Sequence, residues 1–124
     1  MTDHIPDAAN EAFWTSLDQL VAGSAVTIDR PKGTAHPRFP DFVYPLDYGY
    51  LEGTAAADGN EIDVWRGTLP LSKVTAVVCT VDLLKRDTEV KLLIGCSNEE
   101  AAIVHATHNS THMSAILIGR PNHE

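Results

Sequence analysis

Apolar positions follow two periods along the chain, and the change from one to the other marks its elements. From Pro6 to Ala22, Phe13, Leu17, Leu20 and Val21 recur at spacings of three and four, and Trp14 widens the stripe. That is the period of a helix with one buried face. Pro6 suits a first turn, Asp7 and Glu11 complement the positive end of a helix dipole, and Gly23 suits a stop. Beyond Gly23 the runs become short and rich in strand formers. Ala25–Asp29, Ile62–Arg66, Val74–Leu84, Glu89–Gly95 and Ala115–Gly119 read as strands bounded by turn residues. Val43–Leu51 is rich in tyrosine and broken by Gly49, which predicts a bent strand or a strand pair. Ser97 followed by Glu100 is a capping box and predicts a helix reaching His105–His108.

Between these runs lie loops. Residues 30–41 contain Pro31, Pro37, Pro40 and Gly33, and residues 53–60 are turn-rich. Lys85-Arg86-Asp87-Thr88 joins the two strongest β runs. No repeat or low-complexity segment interrupts the order of helix, short strands, helix and strand. Evenly spaced strands without βαβ alternation favour a small antiparallel barrel over a Rossmann-type sheet. The expectation is one mainly β, α+β domain spanning residues 1–124, which is a usual domain length.

Composition narrows the function classes. The chain is 44% hydrophobic and 21% charged, which suits a globular protein with its own core. No apolar run approaches the roughly 18–20 residues of a membrane span, so no membrane partner is expected. The start, Met1-Thr2-Asp3-His4, lacks the basic and apolar regions of a secretory leader, and the expected address is cytoplasmic. A net charge of −8 argues against coating a nucleic-acid backbone. A single-strand-binding barrel would need a basic groove with stacking aromatics. Small anionic ligands remain open, because a divalent cation can stand between carboxylates and a phosphate. Cys79 and Cys96 sit among apolar residues and are expected to be buried free thiols. The patterns of a P-loop and of a serine-hydrolase elbow are absent.

Two neighbouring runs carry the candidate chemistry. One is Tyr44-Pro45-Leu46-Asp47-Tyr48-Gly49-Tyr50, the other Asp58-Gly59-Asn60-Glu61-Ile62-Asp63-Val64. In the second, Gly59 permits a tight turn and Asp63 opens a strand. Carboxylates at a turn and at the following strand mouth can converge on one hard cation. The same letters are also ordinary turn chemistry. His105, His108 and His112 recur at spacings of three and four, but Asn109-Ser110-Thr111 ends the helical stripe. No cysteine or carboxylate accompanies them locally, so a structural or solvated role is expected.

Taken together, the two runs resemble the soluble, Mg²⁺-dependent inorganic pyrophosphatases of the single-barrel type. The second run matches that family's Asp-rich motif at every position but the third, and Tyr44–Tyr50 matches its upstream tyrosine run. Asp29-Arg30-Pro31 is similar to the family's first active-site strand, and Asp87-Thr88-Glu89-Val90-Lys91 resembles a shortened form of a later strand pair. The match covers roughly residues 25–95. It implies an OB-like five-stranded barrel with an N-terminal and a C-terminal helix. It also implies hydrolysis of inorganic pyrophosphate by metal-activated water.

On that resemblance Asp58, Asp63 and Asp87 are the expected metal ligands, with Glu89 and Asp29 after them. Tyr48 and Lys91, with Lys32 and Arg38 from the preceding loop, are the expected substrate-binding groups. Asp58 and Asn60 are the expected catalytic groups. The implied cofactor is Mg²⁺, with Mn²⁺ as the alternative, and the partner is a small phosphate compound. A homo-oligomer is left open.

Three departures accompany the resemblance. Asn60 stands where the family has an aspartate, and an amide can orient water but cannot take its proton. The family's C-terminal Tyr-Lys pair has no counterpart, since no tyrosine follows Tyr50 and no lysine follows Lys91. The chain is also shorter than the family. Three readings stay open: a minimal pyrophosphatase, a hydrolase of a related phosphoanhydride carrying an ester, and a barrel that binds a phosphate compound without chemistry.

Overall fold

The computed structural model describes residues 10–110 and 112–121. Its elements, in chain order, are α1 (Glu11–Ala22), β1 (Val26–Arg30), β2 (Asp47–Leu51), β3 (Ile62–Arg66), β4 (Val74–Asp82), β5 (Asp87–Ile94), α2 (Asn98–Thr107) and β6 (Met113–Gly119). The mainly β, barrel-like α+β fold read from the sequence is present. Six strands form one sheet in the order β1-β2-β3-β5-β4-β6, rather than five. The sheet is not closed, and β1 and β6 are its edges. Every pairing is antiparallel except that of β3 with β5. The second helix precedes β6, in the order of helix, short strands, helix and strand read from the sequence. Pro6 and Asp7, expected in the first turn, lie outside the described residues, and α1 begins after Asn10, whose side chain accepts from Phe13 N at 3.0 Å. Gly23 closes α1 with a negative φ of −88°, so its lack of a Cβ is not what the stop requires.

Both sheet faces are covered, which explains the near-continuous apolar runs of β3, β4 and β5. Trp14 and Val21 of α1 pack with Leu51, Val64, Val77 and Leu92 on one face. Ala101 and Val104 of α2 pack with Trp65, Val78 and Leu93 on the other. Consecutive residues, such as Val64 and Trp65, thus enter different cores, as strand alternation demands. Both tryptophans are buried.

Polar side chains tie the helices to the sheet. The capping box at α2 forms as expected: Ser97 Oγ accepts from Glu100 N at 3.1 Å, and Glu100 Oε1 accepts from Ser97 N at 2.9 Å. Glu100 also accepts from Thr68 N and Oγ1, which fixes the end of β3 against the start of α2. Opposite, Arg120 donates to both oxygens of Asp18 at 3.0 and 2.9 Å and to Val74 O at 3.1 Å, clamping α1 to β4. Cys79 and Cys96 are not joined in a disulfide; Cys96 is buried as expected but Cys79 only half-buried, and burial, with the Glu100 charge added, pushes Cys96 up to about 12. Among the described residues no helix is long and apolar enough to cross a membrane.

Candidate active site

Strand register builds the site. β2 and β3 pair with Tyr48 opposite Trp65 and Tyr50 opposite Asp63. Tyr48 and Asp63 are therefore diagonal neighbours on one sheet face, within reach of a long side chain. β4 pairs with β5 so that Thr80 faces Glu89 and Val78 faces Lys91. The parallel register of β3 with β5 sets Val64 beside Leu92. The chain entering β3 and the chain entering β5 consequently open at the same end of the sheet. That end carries Asp58 before β3 and Asp87 and Glu89 at the start of β5.

Lys91 is the centre of this arrangement, although it is only 7% exposed. Its ammonium donates to Asp63 Oδ2 at 2.7 Å, to Glu89 Oε1 at 2.9 Å and to the Tyr48 hydroxyl at 2.9 Å. Tyr48 in turn donates to Asp63 Oδ2 at 2.8 Å. An ammonium has three donors, and all three are engaged. Burial alone would favour the neutral amine, but the Tyr48 oxygen and the Asp63 carboxylate outweigh it and hold Lys91 above its ordinary range. Burial raises the Tyr48 phenol as well, so it stays protonated and acts as a donor. One cation between two carboxylates leaves the group with a net negative charge.

A ring cluster supports this layer from behind. Tyr48 meets Trp65 edge-on, with centroids 4.6 Å apart, and Tyr44 stacks on Tyr48 at 5.5 Å. Trp65 Nε1 donates to His108 Nε2 at 3.0 Å, which leaves the proton of the neutral ring on Nδ1, 3.3 Å from Met113 Sδ. Burial lowers the His108 pKa to about 4, with the Lys91 charge adding to the effect, so the ring is neutral at pH 7. His105 Nε2 lies 3.0 Å from Ala115 O, and His112 Nε2 lies 3.9 Å from Asp82 Oδ1.

The remaining expected site residues are placed around this centre rather than in it. Asp58 is exposed in the turn made by Gly59, whose φ is +87°. Its carboxylate accepts from Asn60 N at 3.0 Å and lies 3.4 Å from Asn60 Nδ2, and these bonds hold its pKa low. Asp87 pairs with Lys85 at 3.8 Å across the β4–β5 turn, and Asp29 pairs with Arg30 at 3.6 Å on the edge strand. Lys32 and Arg38 are exposed in the loop before β2. Their backbone N–H groups donate, Lys32 N to Asp47 Oδ1 and Arg38 N to His36 Nδ1. Among the described residues no three His, Cys, Asp or Glu side chains group as a ready-made metal site.

Mg²⁺ fits the donor chemistry nonetheless. Asp63 and Glu89 each bind Lys91 through one oxygen, and neither Asp63 Oδ1 nor Glu89 Oε2 takes a hydrogen bond among the described residues. One or two carboxylates, with phosphate and water, are what Mg²⁺ usually takes. Glu89, and not Asp87, reaches Lys91, and alternation was the available signal: residues 89 and 91 share a strand face. Arg30 was not singled out from sequence. A bulge between Ile28 and Arg30 sets Arg30 opposite Tyr48 and on its face, an irregularity that no local pattern announces.

The fold is similar to that of a crystallised inorganic pyrophosphatase from Neisseria gonorrhoeae, with a TM-score of 0.60, 18% identity, and coverage of 81% of this chain and 85% of that one. No protein-family model and no curated protein sequence matches the chain.

Proposed function

We propose that this chain is a Mg²⁺-dependent phosphoanhydride hydrolase that acts on pyrophosphate. The observation that carries the reading is the Tyr48–Asp63–Glu89 cage around Lys91, at the sheet end where Asp58 and Asn60 also stand. The similarity of fold to a pyrophosphatase supports it. The cage is negative overall and the whole chain carries −8, so a polyanion needs a cation to approach.

Asp63 and Glu89 would hold Mg²⁺, with Asp58 at the rim. The bound ion supplies neutralisation of phosphoryl charge and a more acidic water. Lys91 orders both carboxylates and can exchange the Tyr48 oxygen for a phosphoryl oxygen. Tyr48, kept protonated, can turn its one O–H from Asp63 to the same group. Asn60 orients the attacking water, and Asp58 is the neighbouring ionised carboxylate able to take its proton. Water oxygen bonds to one phosphorus as the bridging P–O bond breaks, and the second phosphate leaves. Most of the barrier is lowered by positioning and charge, which suits a site with little covalent machinery.

The test is phosphate release from pyrophosphate by the full chain with Mg²⁺ or Mn²⁺. Release is expected, and Asp63→Asn, which keeps the side chain's shape, lowers it at least about 100-fold. Release equal to buffer with both ions would move the assignment to a binding module, the reading that Asn60 favours.

A further inference from the structure

The α1 face holds a hollow of its own. Strand alternation puts Asp63, Glu89 and Lys91 on the face of Trp65 and Leu93, and puts Arg66 and Ile94 on the face of Val64 and Leu92. The hollow that Arg66 and Ile94 border therefore lies across the sheet from the Lys91 cage, at the opposite ends of β3 and β5. It measures about 510 Å³, within the range of small-ligand sites. The end of α1, the start of β1 and the 69–72 loop form its sides, with Val21, Val26, Leu71 and Ile94 among its apolar walls. The loop wall is fixed in place: Leu69 N donates to Gly95 O at 2.9 Å, and Gly95 N donates to Lys73 O at 3.0 Å. Gly95 has a φ of +60°, and a Cβ there would lie 2.8 Å from Leu71 O, so the loop packs this closely only against glycine.

Arg66 is the one charged residue of the lining, and no carboxylate answers it. Asp47 stands opposite it in the β2–β3 register, yet that carboxylate accepts from Lys32 N at 2.9 Å, and Arg66 forms no ion pair among the described residues. Of the two lining hydroxyls, Ser24 already donates to Leu20 O at 2.7 Å, so Ser72 is the one left to donate. A guanidinium and a hydroxyl beside apolar walls suit an anion with a hydrocarbon tail. We infer that the hollow binds a small amphipathic carboxylate, its oxygens paired with Arg66 and Ser72 and its carbon chain against Val21, Val26, Leu71 and Ile94. One guanidinium balances one negative charge. A phosphate dianion would keep an unbalanced charge facing the negative end of the α1 dipole, where the last turn has no basic side chain. This site is independent of the proposed hydrolase reading.

The experiment titrates the full chain with n-octanoate, n-octanol and n-octyl phosphate by calorimetry, and maps the binding by amide chemical shifts. Octanoate is expected to bind about tenfold or more tighter than octanol, since the two share a chain and differ in the charged pair with Arg66. Shifts should centre on Val26, Arg66, Leu71 and Ile94. Arg66→Gln, at an exposed strand position, should remove the advantage of octanoate and leave octanol binding unchanged. Ser72→Trp, at an exposed loop position, fills the hollow and should weaken both. No saturable octanoate binding, equal binding of octanoate and octanol, shifts centred elsewhere, or an advantage that survives Arg66→Gln overturns the inference. Tighter binding of octyl phosphate than of octanoate overturns the assignment to a carboxylate. Phosphate release from pyrophosphate, whether present or absent, bears on the cage and leaves this result as it stands.

Discussion

Asn60 shows what one atom decides. Its amide sits against the Asp58 carboxylate, which its own N–H holds low, so Asp58 is a weak base for the role proposed for it. Asn60→Asp adds a proton acceptor with almost no change of volume. It should raise the rate of pyrophosphate hydrolysis by roughly 10- to 100-fold, measured as phosphate release at fixed Mg²⁺; an unchanged rate would mean the turn serves another chemistry. His108 makes a different statement at the same scale. Folded, it titrates near 4, and unfolded it titrates at its ordinary 6.5. Between those values the unfolded chain binds the extra proton, so stability falls as pH falls. The full loss is about 3 kcal/mol, complete by about pH 4. Denaturant midpoints across pH 7 to 4 read it, and His108→Gln, whose oxygen can still accept from Trp65, should flatten that slope. Carboxylates held low, such as Glu100, act only at more acidic pH.

Elements differ in how plainly their letters announce them. The second helix was legible because Ser97 and Glu100 are three apart and satisfy each other's backbone. β3 was legible because Ile62–Arg66 is bounded by turn residues and carries apolar side chains. The start of α1 was not, because the apolar stripe alone does not fix an end and Asn10, which caps it, was not singled out. Gly49 read as an interruption, and the structure supplies the reason. A Cβ there would lie 1.8 Å from Thr27 O and 2.8 Å from the Ile28 Cα, so β1 can pack on β2 only against glycine. Gly49→Ala should cost about 3 kcal/mol or more, or abolish soluble expression, as read by thermal unfolding. Relief would require β1 to move, and β1 carries Arg30 opposite Tyr48.

For the whole molecule, the parallel contact of β3 with β5 was invisible in the sequence. Local pattern gives each strand its faces, but only the complete sheet sets which strands are neighbours, and here β4 follows β3 in the chain yet lies beyond β5. That contact is also what brings the Asp58 turn, Asp63 and Glu89 to one end. The candidate residues were therefore readable as types, while their centre, a buried lysine held by Tyr48, Asp63 and Glu89, was not. The opposite face can be altered without touching that centre. Arg120→Leu removes the clamp on Asp18 and should cost about 2–4 kcal/mol in denaturant unfolding. Hydrolysis per folded molecule should persist.

The two indole rings stand on opposite sides of the sheet, Trp65 edge-on to Tyr48 and Trp14 beside α1. They are the chain's full complement of tryptophan. Their fluorescence is thus a native pair of lamps: with Trp14 replaced by phenylalanine, emission from Trp65 reports what enters beside Tyr48, and the reciprocal replacement reports on the helix side.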